Sequence, residues 1–177
     1  GPLKYNVIRQ FLTDVEWGRL DYLVIDSPPG TGDEPLAVAQ MVGRGAWAVL
    51  VTTPQDVAVA DVRRSVSFCR NLGLRIGGIL ENMSGLTCPH CGKSIDPFKS
   101  GGGEALAAET GVPFLGRAPL DPRIVAASDE GRPFAAAFPE SPAGQAFSRA
   151  ARALTNPPAD EEPAETNSPS KENTNMK

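Results

Sequence analysis

The sequence predicts an α/β domain in which a parallel sheet is flanked by helices in a doubly wound arrangement. Two observations carry this expectation. Four short, almost wholly apolar runs recur along the chain, at residues 21–26, 46–54, 74–82 and 112–120. Stretches of helical periodicity separate them, and strands that apolar belong to a sheet covered on both faces.

Each element has its own warrant. In YNVIRQFLTDVEW, Val7, Ile8, Phe11, Leu12 and Val15 recur on one face of a helix. DYLVID (21–26) is too short for a helix and is bounded by SPPGTG, so a buried strand is expected there. EPLAVAQMVG (34–43) reads as a helix and AWAVLVTTP (46–54) as a second strand. DVAVADVRRSVSFCRNLG (56–73) is a long helix, with Asp56 as the expected N-cap and Gly73 as its stop. LRIGGILEN (74–82) is a third strand, followed by an irregular stretch from Met83 to Gly103. A helix at 104–111, a fourth strand at 112–120 and helices at 122–131 and 141–154 complete the domain. The expected organisation is thus a domain over 1–154 with an insertion at 83–101. The tail, 155–177, has no aromatic residue and no apolar period, and is expected to be disordered.

Composition narrows the function classes. The 177 residues suit one domain, 41% hydrophobic and 21% charged. The net charge is −4, of which the tail carries −3, leaving −1 on residues 1–154. No basic field is present to draw nucleic acid or an anionic membrane, so neither is expected as a partner. No apolar run approaches the ~20 residues that span a bilayer, and the opening GPLKYNVIRQF has no signal-peptide core. Three cysteines, two of them in a C-x-x-C pair, argue against a disulfide framework and for a reducing cytoplasm.

Two stretches carry chemistry. In DSPPGTGDE, Asp26 is expected at the carboxyl end of a strand, where α/β sheets bind their ligands. A carboxylate there can hold Mg²⁺ through water, and Gly30 can bring a backbone N–H to a phosphate. The structural alternative is that Asp26 caps the next turn and the glycines only redirect the chain. In LTCPHCGKS, Cys88 and Cys91 offer two thiolates to one metal, whereas tetrahedral zinc or a [4Fe-4S] cluster takes four. Cys69 has the setting of a buried helical residue, His90 is expected to point outward, and no second C-x-x-C exists in the chain. A twofold dimer, in which one surface patch meets itself, solves the deficit.

LDYLVIDSPPGTGDEPL, VTTPQDVAVADVRR, GGILENMSG with its C-x-x-C, FKSGGGE and GVPFLGRAPLDPRI occur in that order. Together they resemble the Mrp/ApbC family of deviant P-loop ATPases, carriers of iron–sulfur clusters, over about residues 1–132. The resemblance implies a P-loop NTPase-like fold, incomplete at its N-terminus. It implies that Asp26 is the switch II aspartate near Mg²⁺ and that Pro28, Pro29 and Gly30 form the switch II turn. It assigns Asn82 to the adenine and the loop Ala118–Asp121, with Pro119 and Asp121, to the neighbourhood of the base. It further implies ATP with Mg in the intact protein, a [4Fe-4S] cluster bridging a homodimer through Cys88 and Cys91, and apo iron–sulfur proteins as acceptors. Zinc on the same four sulfurs competes with that assignment.

One part of the family pattern is missing. No G-x-x-x-x-G-K-S/T occurs in the chain, and the family's phosphate loop belongs to a segment expected before residue 1. The chain by itself is therefore expected not to hydrolyse ATP at a useful rate, and the sheet is expected to show a gap where the phosphate-loop strand belongs. Two alternatives share parts of the pattern: a structural zinc-bridged dimer without ATPase activity, and a partition-type positioning ATPase, which needs no C-x-x-C.

Overall fold

The computed structural model describes residues 2–88 and 90–156, so the tail expected to be disordered lies outside the described residues from 157 onward. At the centre of its sheet is β2 (Arg75–Thr87). β1 (Trp47–Thr52) runs parallel to it, from Trp47 opposite Arg75 to Thr52 opposite Glu81, with a one-residue register shift between Ala48 and Val49. β4 (Phe114–Leu120) runs parallel along β2 as well, placing Asn82 opposite Ala118. β3 (Ser94–Ile95) is short and antiparallel, pairing with Leu86 and Thr87 at the C-terminal end of β2. The sheet is therefore mixed, three parallel strands with one antiparallel extension.

Helices cover both of its faces, as neighbouring residues of β2 demonstrate, since successive side chains of a strand point to opposite sides. Ile79 packs with Val66 of α3 (Asp56–Asn71), with Leu106 and Ala107 of α4 (Gly102–Thr110) and with Val112. Leu80 packs on the other side with Leu115 and with Ala150 and Phe147 of α7 (Pro142–Thr155). α7 starts where the sequence signals a start: the Ser141 hydroxyl accepts from the Gly144 N–H at 3.0 Å, and Pro142 opens the helix. Burying side chains such as Ile79 and Leu106 contributes about 1.5–3 kcal/mol each. α5 (Arg123–Asp129) and α6 (Phe134–Ala137) close the C-terminal region through Ala127, Phe134 and Ala143; α6 was not anticipated.

The expected strand at 21–26 does not form. Residues 14–32 run as irregular chain between α1 (Pro2–Thr13) and α2 (Asp33–Val42), and Val24 is 90% exposed. Composition proposes a strand, but only a ladder partner makes one, and among the described residues 21–26 has none. β1 pairs on one side only, and its Val49 and Val51 side chains are exposed. α1 packs chiefly against α2, where Lys4 pairs with Glu34.

Three boundaries also shift. The stretch 83–103 is not wholly irregular: β2 continues to Thr87, β3 pairs back on it, and α4 begins at Gly102. Asp56 is not an N-cap, because Gln55 holds that position and Asp56 is the first helical residue. Gly73 does end α3, with φ of +65°, which an L side chain adopts only with strain.

Candidate functional site

The parallel pairing of β2 and β4 brings two of the sequence-predicted stretches together. Asn82 lies opposite Ala118, so Pro119 and Asp121 follow directly at the carboxyl end of the adjoining strand. The Asn82 Oδ1 accepts from the Met83 N–H at 2.9 Å, which supports Met83 at a φ of +55°. Asp121 is occupied locally. Its carboxylate accepts from the Arg123 backbone at 3.0 Å and from the guanidinium at 2.9 and 2.6 Å. The Arg123 side chain, above all, holds the Asp121 carboxyl below its usual range.

Asp26, Pro28, Pro29 and Gly30 are not delivered to the same sheet edge by a strand. They lie exposed on the irregular segment that leads into α2, with Gly30 at a φ of +90°. A hollow of about 260 Å³ on α1 is lined by Val7, Gln10, Phe11, Asp14 and Val15, none of them a predicted site residue.

Cys88 and Cys91 sit at the tip of a hairpin whose stem is the Leu86–Ile95 and Thr87–Ser94 pairing. The Cys88 N–H donates to the Lys93 carbonyl and the Gly92 N–H donates to the Cys88 carbonyl, both at 2.9 Å. This closed turn aims further N–H groups at sulfur. The backbone N–H of Cys91, then that of His90, then the Cys91 thiol, pull the Cys88 pKa below that of an ordinary thiol. Cys91 is exposed and Cys88 half-buried, so both sulfurs are accessible. The donor set fits a metal–thiolate knuckle: two adjacent sulfurs, one with its thiol pKa lowered by neighbouring N–H groups. Among the described residues no cluster of three His, Cys, Asp or Glu side chains that could hold a metal is present, so His90 adds no further ligand here. Cys69 is buried in α3, and burial pushes its thiol pKa up.

Sequence reasoning missed Glu81. It is wholly buried at the end of an apolar strand run, one residue before Asn82. Its Oε1 accepts from the Ser84 hydroxyl and from the Gly101 N–H at 2.9 Å, and its Oε2 accepts from the Gly103 N–H. Arg117 of β4 lies 3.6 Å away and also pairs with Glu104. Burial by itself would raise the carboxyl pKa, but Ser84, Gly101, Gly103 and Arg117 together outweigh it and hold the pKa below the usual value. The signal was available in GGILEN, where a charge interrupts an otherwise apolar strand; its backbone partners Gly101 and Gly103, about twenty residues downstream, were not.

A mixed sheet flanked by helices, with Asn82 and the Pro119–Asp121 loop at the carboxyl ends of parallel strands, defines the class as an α/β domain of the kind that binds ligands at that edge. Comparison with known proteins agrees. The family described as "ParA: NUBPL iron-transfer P-loop NTPase" matches residues 1–155, and the chain belongs to that family. It is 51% identical over 156 residues to a Bos taurus protein named cytosolic Fe-S cluster assembly factor NUBP2, covering 87% of this chain and 58% of that one. A Trichoplax adhaerens homologue of the same name is 52% identical over 157 residues, with 87% and 59% covered. The chain thus spans little more than half the length of these curated relatives. Among solved structures, a nucleotide-binding protein of Archaeoglobus fulgidus in complex with ADP superposes with a TM-score of 0.65 at 40% identity, over 73% of this chain and 53% of that one. The septum site-determining protein MinD of Pyrococcus horikoshii, complexed with Mg-ADP, gives 0.60 at 27% identity, over 86% and 56%. No helix among the described residues is long and apolar enough to cross a membrane.

Proposed function

We propose that this chain is the part of an iron–sulfur cluster carrier that presents the cluster ligands and the base-contacting edge of a nucleotide site. The observation that supports this best is the Cys88–Cys91 turn, a hairpin tip that aims backbone N–H groups at the Cys88 sulfur and offers two sulfurs with no third ligand beside them among the described residues. Two copies meeting about a twofold axis would supply the four thiolates of a [4Fe-4S] cluster. Such a seat at an exposed tip suits cargo that is handed to apo iron–sulfur proteins, and the names of the relatives support the same reading. The relatives are named as cytosolic, and the cytoplasm is the proposed setting.

In the whole protein, Asn82 and the Pro119–Asp121 loop would hold the adenine of ATP. With its Oδ1 engaged, Asn82 offers its NH₂ to a purine acceptor. The Asp121 carboxylate is committed to Arg123, so that loop serves the base by packing. Asp26, with Pro28, Pro29 and Gly30, would serve Mg²⁺ and the terminal phosphate, supplying electrostatic stabilisation of phosphoryl transfer. Lacking G-x-x-x-x-G-K-S/T, this chain alone does not turn over ATP; phosphate release in a malachite-green assay at the rate of a full-length relative overturns that statement.

The cluster reading is tested by anaerobic reconstitution with iron and sulfide. One cluster per two chains, with broad sulfide-to-iron absorbance, is expected, and Cys88→Ser or Cys91→Ser abolishes it. Retention of the cluster by the double variant, or stoichiometric zinc with no cluster at all, refutes the reading, the latter in favour of a zinc-bridged dimer.

A further inference from the structure

The C-x-x-C hairpin leaves the sheet and returns to it through one neck, and a single carboxylate closes that neck. Glu81 accepts from Ser84, where the insertion begins, and from Gly101 and Gly103, where it ends. Gly101 reaches it at a φ of +89°. A Cβ on Gly103 would stand 3.0 Å from the Glu81 Cβ and 2.9 Å from Thr52 Cγ2, so the chain at 103 is pressed onto the sheet. The other tether of the return limb, Lys99 to Asp56 at 2.8 Å, is exposed at both ends and correspondingly weak. Among the described residues, what stands between neck and cysteines is the pairs Leu86–Ile95 and Thr87–Ser94, the Cys88 N–H to Lys93 bond and, on the outgoing limb alone, the pairing of Leu86 with Leu120 of β4. A two-residue ladder is marginal by itself, so its register depends on what holds its base.

We infer that Glu81 is the positioning residue of the cysteine pair: by clasping both limbs of the insertion it sets the hairpin register on which the convergence of Cys88 and Cys91 depends. It touches neither sulfur and acts through the neck and stem. The buried carboxylate accepts at both oxygens, from Ser84 and Gly101 at Oε1 and from Gly103 at Oε2, whereas an amide has one donor end and so sets that end against the N–H of either Gly101 or Gly103 on the return limb. The inference rests on the reading of Cys88 and Cys91 as a metal–thiolate pair, and two readouts separate the failure of one from the failure of the other.

The full chain, reduced and anaerobic, is titrated with Co²⁺ while the thiolate-to-cobalt charge-transfer band is followed, and exchange of the Cys88 amide is measured by NMR. Outer-shell partners of metal ligands typically change affinity by about 10–100-fold. Glu81→Gln, one step further from the sulfurs, is therefore expected at the low end of that range, weakening Co²⁺ binding about tenfold and speeding Cys88 amide exchange by a similar factor. Lys99→Ala is expected to stay within about twofold in both. A folded Glu81→Gln protein with both readouts within twofold of the parent overturns the proposal. Should Glu81→Gln not fold, Ser84→Ala, which removes one donor, decides: about threefold faster exchange supports the clasp and unchanged exchange overturns it. Should the parent chain give no cobalt band, the metal–thiolate reading fails, and amide exchange alone judges Glu81.

Discussion

Replacing Gly103 by alanine sets a gain against two losses whose sizes follow from the geometry. Alanine in a helix is favoured over glycine by up to about 1 kcal/mol, and by less in a first turn, where Gly103 lies. Against this, an ideal Cβ would sit 2.9 Å from Thr52 Cγ2, 3.0 Å from the Glu81 Cβ and 3.1 Å from its Oε2. Neither neighbour is the loose end of a flexible side chain, since Thr52 is 3% exposed and Glu81 wholly buried. Overpacking of this kind costs about 1–3 kcal/mol. The displacement that relieves it draws the Gly103 N–H away from the Glu81 carboxylate, and hydrogen bonds to charged groups contribute about 1.5–3 kcal/mol. The losses win, and a net destabilisation of about 2–4 kcal/mol is expected. At about 2–4 °C per kcal/mol for a chain of this size, the thermal midpoint falls by roughly 5–15 °C. Gly45→Ala is the control: nothing lies within 4 Å of its Cβ and its φ is unexceptional, so the change should stay within about 0.5 kcal/mol. Thermal and urea unfolding of both variants reads the difference. A Gly103→Ala protein as stable as the parent refutes the account of a neck pressed onto the sheet.

Other outcomes follow from the same structure. Leu106→Ala empties a position 1% exposed between α4 and the sheet and should cost about 2–5 kcal/mol in urea unfolding, with a loss under 1 kcal/mol contradicting the assigned core. Ellman's reagent on the native reduced chain should titrate two thiols quickly, Cys91 and Cys88, and the third, Cys69, only on unfolding; three equally fast thiols contradict its burial. The Glu81 carboxyl has a folded pKa below its unfolded value of about 4.3, so its contribution to stability is fully present above that value. It is lost as pH falls through the folded pKa. Urea midpoints taken downward from pH 5 should therefore drop more steeply in the parent than in Glu81→Gln, and parallel curves would assign the acid limb to other groups.

Local patterns determined much of this domain. The apolar runs that became β1, β2 and β4, the helical periods of α3 and α7, and the stop at Gly73 need no distant partner to be recognised. The same holds for the closeness of the two C-x-x-C sulfurs and for Cys69 as a buried thiol, because spacing along the chain and apolar neighbours already set where these side chains lie. Pairing decided the rest. Residues 21–26 carry the composition of a buried strand yet stay irregular, because a strand exists only beside another and composition does not name the neighbour. The stretch 83–103 looked structureless because its order comes from Leu86 meeting Ile95 and from a carboxylate gathering N–H groups about twenty residues on. Glu81 is the clearest case. In sequence it is a charge in the wrong place, and only the fold supplies the four partners that make a buried carboxylate stable there. Asn82 and the Pro119–Asp121 loop were separate motifs until the parallel register of β2 and β4 set them side by side.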